Sequence, residues 1–459
     1  MKQSLIFIFT IFLTAHTFSS VIITPIGVPR NYFVDASRPD DSGGGDSWET
    51  AKKTIQAAID LTNDGDTVWV TDGTYVLSAE ISVTNAITIR SVNGPAVTII
   101  DGGGSNRCFN LHDSACSVSG FTITGGVNWS DWGACGGGIY CINTTPVVSD
   151  CCIVGNDVAF IVAGPALGGG MYNGTAKNCF FASNTSSGGG GMAGGMAINC
   201  VFYANHTTGW HQFGGDSGGG MAGGEAYNCT FVGNSSFGGG GLSDGAAYNC
   251  VFSGNTAYIA NDLYESLAYN SCSAELTHGV DGNITNAPLF VDAANGDFRL
   301  QSNSPCINWG NNAFVTNATD LAGNSRIVEG TVDMGAYEYQ GTIGLADSDA
   351  DGITDEWERQ HGGNQNPDRV CSNGVNTLLQ AYVAGLDPND PESKFTTTVS
   401  DQTLRWNATS GRVYAVYYST NLLEGFQPLE TNIPWTAGCF TDSVHNAGQR
   451  FYRIEVRKP

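Results

Sequence analysis

The stretch GGGGMAGGMAINCVFYANHT, residues 188–207, holds a glycine run closed by Met192, a Gly194-Gly195 pair, then Asn199-Cys200, Phe202 and Asn205. The same order returns along the chain as Met171, Cys179, Phe181, Asn184; Met221, Cys229, Phe231, Asn234; and Leu242, Cys250, Phe252, Asn255. Looser copies lie upstream: Ile139, Cys151, Ile153, Asn156, and before them Phe121, Ile123, Gly126. Between glycine run and cysteine stands a turn dipeptide, Asn173-Gly174, Gly194-Gly195, Gly223-Gly224 or Asp244-Gly245.

Short strands separated by turns and repeating every 21 residues or somewhat more describe the coils of a solenoid, stacked at the ~4.8 Å strand spacing. Side chains two apart on a strand share a face, so each Cys and Phe is expected to point inward and to form a ladder with its equivalents. The corner Asn is expected to bond turn backbone and the next coil, and Gly to permit positive φ and close approach at the other corner. Parallel Cβ vectors suit buried thiols better than bridges. Cys108 with Cys116, Cys135 with Cys141, and Cys371 with Cys439 stay open as pairs.

Outward from the repeat, the chain has 459 residues, 62 of them Gly, with 14% charged and 41% hydrophobic residues, a composition of several compact modules. Residues 1–20 place Lys2 before an apolar run from Leu5 to Leu13, which reads as a signal peptide; a retained signal anchor is the other reading. The mature chain is therefore expected outside the cytosol, secreted or at the cell surface, with no transmembrane segment. A net charge of −24 argues against nucleic acid, which needs clustered Lys and Arg. It also repels acidic polysaccharides unless cations bridge the two.

FxxN beside GG[AGS][ILM] resembles the repeats of chlamydial polymorphic membrane proteins, and residues 30–340 resemble right-handed parallel β-helix proteins of the pectate lyase superfold. The resemblance implies an all-β solenoid over 21–340. A capping helix is expected over about Trp48 to Leu61, with Ile55, Ala58 and Ile59 on its apolar face. APLFVDAANGDFRLQSNSPCINWGNN and VDMGAYEY look like terminal coils. Such a fold specifies a reaction hardly at all.

DSDADGITDEWE, residues 347–358, matches the EF-hand calcium loop: Asp347, Asp349, Asp351, Asp355 and Glu358 supply carboxylates, Ile353 a carbonyl, and Gly352 the sharp turn. The competing reading is a solvated acidic linker. With a following helix near Val375 to Ala384, the segment 341–393 resembles dockerin-like and thrombospondin type 3 calcium linkers, which implies structural stiffening. Residues 394–459 alternate as TLRWNA, RVYAVYYST and RFYRIEV, the pattern of a small antiparallel, sandwich-like β module with Tyr452, Ile454 and Val456 inward.

Counting from corner Asn (or Gly126) to the next glycine run gives 10, 12, 5, 13 and 5 residues, so three coils carry longer excursions at one corner: 127–135, 157–167 and 206–217. Stacked in register, they span about 14 Å, three steps of strand spacing and room for a few sugar units. Trp129, Trp132 and Trp210 offer flat faces to sugar rings, and His206, His211, Asp131, Asp157 and Asp216 offer hydrogen bonds or proton transfer. Alternatively, the excursions only cover the corner, with Trp129 and Trp132 packed inward.

A lyase needs bases and carboxylate-neutralising cations, yet Arg107, Lys177 and Arg299 are the only Lys and Arg between residues 100 and 300. Lys177 is either an outward base or a side chain snorkelling at a coil edge. A glycosidase needs two carboxyl groups roughly 5 to 9.5 Å apart, for which Asp131, Asp157 and Asp216 are placed; His211 with Asp216 is a second acid/base pairing. The sequence thus points to a polysaccharide-interacting protein, as a lyase or hydrolase, with a non-catalytic adhesin binding cell-surface glycan as the alternative and a passive spacer as a third reading.

Overall fold

The computed structural model describes residues 28–458 except 114, 131–133, 161–165, 209–216, 342–350, 355–356, 359–360, 362–365 and 444–448; the signal peptide expected over 1–20 lies outside them. The repeat folds into a parallel β-helix. One coil, Met192–Thr207, shows its four sides: Met192–Ala193, Met196–Ile198, Val201–Tyr203 and His206–Thr207. Each strand pairs in parallel with its equivalents one coil away, giving sheets of 8, 10, 8 and 6 strands for sides one to four.

The inward columns are those expected. Phe181, Phe202, Phe231 and Phe252 stack with centroids 4.8, 4.7 and 4.7 Å apart, each buried ring contributing about 1.5–3 kcal/mol. The cysteines pile beside them: Cys179 N–H donates to Cys200 Sγ, Cys200 N–H to Cys229 Sγ and Cys229 N–H to Cys250 Sγ, each at 3.4 Å. All fourteen cysteines are free thiols, so the three pairs left open by sequence are unbridged. Burial pushes Cys179 and Cys229 well above the ordinary thiol range, which keeps them protonated and inert.

Glycine is required at the corner between sides four and one for two reasons. Gly189 sits at φ +66°, and a Cβ on Gly190 or Gly191 would lie 2.6 Å from the carbonyl oxygen of Gly219 or Gly220 in the next coil. The opposite demand is met between sides three and four, where Asn156, Asn184, Asn205, Asn234 and Asn255 are buried. Each of the first four donates through Nδ2 to the next Asn Oδ1, at 2.9–3.0 Å. A further Asn column marks the corner between sides two and three: Asn178, Asn199, Asn228 and Asn249 adopt φ of 52°, 50°, 51° and 54°. Asn tolerates that left-handed region because its short side chain bonds locally.

Both ends differ in detail from expectation. The capping helix is only Ile55–Ile59, although its buried face is the expected Ile55, Ala58 and Ile59. Asp41 accepts the N–H groups of Lys53 and Thr54, and Thr54 caps the helix, so the preceding residues are held as turns. Parallel pairing runs one turn further, to Ile284 opposite Cys272, and the segment APLFVDAANGDFRL beyond it does not form another coil. It forms the antiparallel pair Phe290–Asp292 and Asp297–Leu300 and folds back over side three, where Phe298 and Ala336 are buried with Val201 and Val232. Ala336 N–H donates to Thr230 Oγ1 at 2.9 Å, and Asn199 Nδ2 to Thr319 O at 2.7 Å.

Arg326, 1% exposed, holds this return segment together by donating to the Asp333 and Gly335 carbonyls beside Glu338. Farther on, helix Leu378–Ala384 begins in a Thr377/Gln380 capping box. Its C-terminal carbonyls of Val383 and Tyr382 accept from Arg412 at 2.6 and 2.9 Å. Arg412 thereby ties the helix to the C-terminal module, two three-stranded antiparallel sheets around Leu404, Trp406, Tyr414, Val416 and Ile433. Tyr452, Ile454 and Val456 pack partly buried against that core, on the side expected.

Candidate functional site

Side four is where the three excursions leave the coil. Its strands pair in one row, Val127, Asp157, Thr185, His206, Ser235 and Thr256, each opposite the next. The excursions rise from rungs one, two and four of this row. Their return stems pair as well, Ala134 with Ala166, Leu167 with Gly188 and Ser217 with Gly238. The shared corner and its three-step span therefore hold.

Strand alternation assigns the row outward, because the intervening Val158, Ser186 and Thr207 are buried. Outward polar groups are thus presented at strand spacing: a half-buried Asp157 and Thr185, an exposed His206, a half-buried Ser235 and an exposed Thr256. His206 Nδ1 is 2.7 Å from Ser235 Oγ, which fixes the ring against the next rung. Asp157 has its carboxyl raised above the usual range by burial, so it keeps its proton to higher pH than an exposed Asp. Two rungs, about 10 Å, separate Asp157 from His206.

Aromatic side chains flank the row at both ends. Trp129, two residues beyond Val127, is 55% exposed, so the inward packing considered for it does not occur. Phe237 and Tyr258, two residues beyond Ser235 and Thr256, stack at 5.1 Å, and Tyr258 is 82% exposed. From rung one to rung five is about 19 Å. Sequence reasoning missed Phe237 and Tyr258, although each stands three residues after its corner Asn, the offset that separates Trp129 from Gly126.

The remaining expected residues fall elsewhere. Asp131, Trp132, Trp210, His211 and Asp216 lie outside the described residues. Lys177 is on side two, level with Ile198, Tyr227, Tyr248 and Tyr269. Sides one and three lie between it and side four, so it is not brought together with His206 or Trp129. Three of those neighbours, Tyr227, Tyr248 and Tyr269, stack at 4.7 and 5.5 Å and turn their ring faces to one another.

In the loop expected to hold calcium, Asp347, Asp349 and Asp355 are outside the described residues, and among those described no three His, Cys, Asp or Glu converge. The described half keeps a sharp turn and oxygen-bearing side chains. Gly352 turns at φ +91°, Ile353 N–H donates to Asp351 Oδ1 at 2.8 Å, and Glu358 is buried. The Ile353 side chain is fully buried with Leu378, Ala381 and Tyr382, so this residue is seated on the helix.

No family model matches the chain, and no curated protein does. Among solved structures, pectate lyase Pel9A is similar at 14% identity, covering 69% of this chain and 98% of its own, with a TM-score of 0.37. A rhamnogalacturonan lyase is similar at 14% identity, covering 53% and 68%, TM-score 0.31. A rice weevil pectin methyl esterase is similar at 11% identity, covering 52% and 89%, TM-score 0.25. Among the described residues no helix is long and apolar enough to cross a membrane.

Proposed function

We propose that side four binds a polysaccharide laid along the solenoid axis, in a protein that works outside the cell or on its surface. The observation that carries this is one open row of hydrogen-bonding side chains flanked by aromatic residues, the exposed Trp129 at one end and the exposed Tyr258, stacked on a half-buried Phe237, at the other. Aromatic faces pack against sugar rings, and hydroxyl, imidazole and carboxyl groups fix ring orientation. Affinity electrophoresis of the purified protein in gels containing single polysaccharides tests the reading. The Trp129→Ala/Tyr258→Ala double variant is expected to lose most of the retardation with its far-ultraviolet circular dichroism unchanged. Equal retardation of the variant, or none of the wild type in any gel, contradicts it.

Hydrolysis is a second reading, favoured by the raised carboxyl of Asp157, which suits a general acid on the ligand path. Shortening of a bound polysaccharide, lost in Asp157→Asn with binding kept, separates an enzyme from an adhesin. For the linker, the proposed cofactor is calcium, held by Asp347, Asp349, Asp351, the Ile353 carbonyl, Asp355 and Glu358, with a structural role.

A further inference from the structure

We infer that the ligand of side four is an uncharged polysaccharide that advances one sugar ring per coil; this rests on the polysaccharide reading above and specifies its chemical class. The first half follows from charge. Arg107, Lys177 and Arg299 are the only Lys and Arg between residues 100 and 300. Arg107 stands at the foot of the first excursion, where it is engaged with Glu80 at 2.9 Å and with the Cys135 and Gly136 carbonyls, and Lys177 lies on strand Thr175–Lys177 of side two, with a full side of the coil between it and side four in either direction. The row Val127, Asp157, Thr185, His206, Ser235 and Thr256 holds one carboxyl group and no permanent cation.

A uronate polymer brings a carboxylate on every ring. Laid over this row it would place several anions against six positions whose ionisable side chains are Asp157 and His206, within a chain of net charge −24. Losing water from an unpaired carboxylate costs several kcal/mol, which no group on the row offsets. Salt screens the distant charges of the chain, over a Debye length of about 8 Å, yet supplies no partner at the contact itself. Rings that bear only hydroxyl groups meet no such penalty. They find hydrogen-bonding partners in Thr185, His206, Ser235 and Thr256 and stacking surfaces in Trp129 and Tyr258.

The second half follows from length. Successive rungs repeat at the parallel-strand spacing of about 4.8 Å, and an extended chain of pyranose rings advances by a comparable distance per ring. Equivalent groups on neighbouring coils therefore meet equivalent groups on neighbouring sugars. The aromatic ends, four to five rungs apart, then bracket about five rings.

The test is affinity electrophoresis of the full chain in gels of a neutral β-glucan, a neutral mannan, polygalacturonate and alginate, each with calcium and with chelator. The expected result is retardation by at least one neutral gel, insensitive to salt and chelator, and none by the uronate gels. Retardation by a uronate gel, equal to or stronger than the neutral ones or appearing only with calcium, overturns this inference and leaves the polysaccharide reading standing. No retardation in any gel overturns both. The double variant Trp129→Ala/Tyr258→Ala is run alongside, and its loss of the neutral signal assigns the binding to side four. Unchanged retardation of the variant places the ligand elsewhere and overturns the inference.

Discussion

Asn205 Nδ2 donates to Asn234 Oδ1 at 2.9 Å although 29 residues separate them, and Asn184 makes the same bond to Asn205 at 2.9 Å across only 21. The extra residues of the longer coil leave the ladder undisturbed, so register is set at the corner. Asn205 also donates to Phe181 O and accepts from Asn184 N–H. Replacing it with Ala strands several buried groups at once. Asn205→Ala is expected to lose on the order of 3 kcal/mol in urea unfolding.

Gly190 is constrained by space. Its added Cβ would sit 2.6 Å from the Gly219 carbonyl oxygen, whereas one on Gly425 meets nothing within 4 Å. Gly190→Ala should cost about 3 kcal/mol by forcing two coils apart, and Gly425→Ala should change stability by less than about 0.5 kcal/mol. Thermal unfolding of the two variants beside the wild type checks the contrast.

Much of this architecture was legible because the sequence states it four times. Cys179, Cys200, Cys229 and Cys250 share one offset from Phe and Asn, and repetition exposes a column that a single copy would hide. The excursions were legible from the same alignment, as surplus length at one corner. What escaped depended on contacts between distant segments: Thr230 with Ala336 is a bond across 106 residues, and no local pattern announces that the chain turns back over side three. The helix end was misjudged because Asp41, outside its periodic pattern, holds residues 53 and 54 as a turn. Phe237 and Tyr258 stand on coils with no excursion, so surplus length does not mark them.

Glu338 gives the return segment a pH dependence. Burial and the neighbouring Asp333 push its carboxyl up to about 8, against the pull of Arg326 and two backbone N–H donors. A raised carboxyl binds a proton in the folded state that the unfolded chain releases above about 4.5. Stability is therefore highest below that value and falls as pH rises toward 8. Glu338→Gln should flatten this slope, as read by urea unfolding between pH 5 and 9. An identical slope in the variant would assign the effect to another group.

Calcium should act on the C-terminal half. Ile353 is buried against helix Leu378–Ala384, and Arg412 and Lys458 fasten that helix to the β module. Calcium binding at the loop is expected to raise the unfolding temperature of this unit by several degrees, and Glu358→Gln should abolish the gain. Differential scanning calorimetry with calcium and with chelator measures it. A thermogram unchanged by calcium would favour the solvated linker.

The most direct measurement of the binding account is titration calorimetry with uncharged oligosaccharides of two to eight rings, drawn from whichever neutral polymer retards the protein. Affinity is predicted to climb ring by ring and to level off near five, where the chain reaches from Trp129 to the Phe237–Tyr258 pair, and Trp129→Ala should bring the plateau one or two rings earlier. Affinity that is already full with two rings, or that ignores Trp129 and Tyr258 altogether, would contradict a ligand lying along side four.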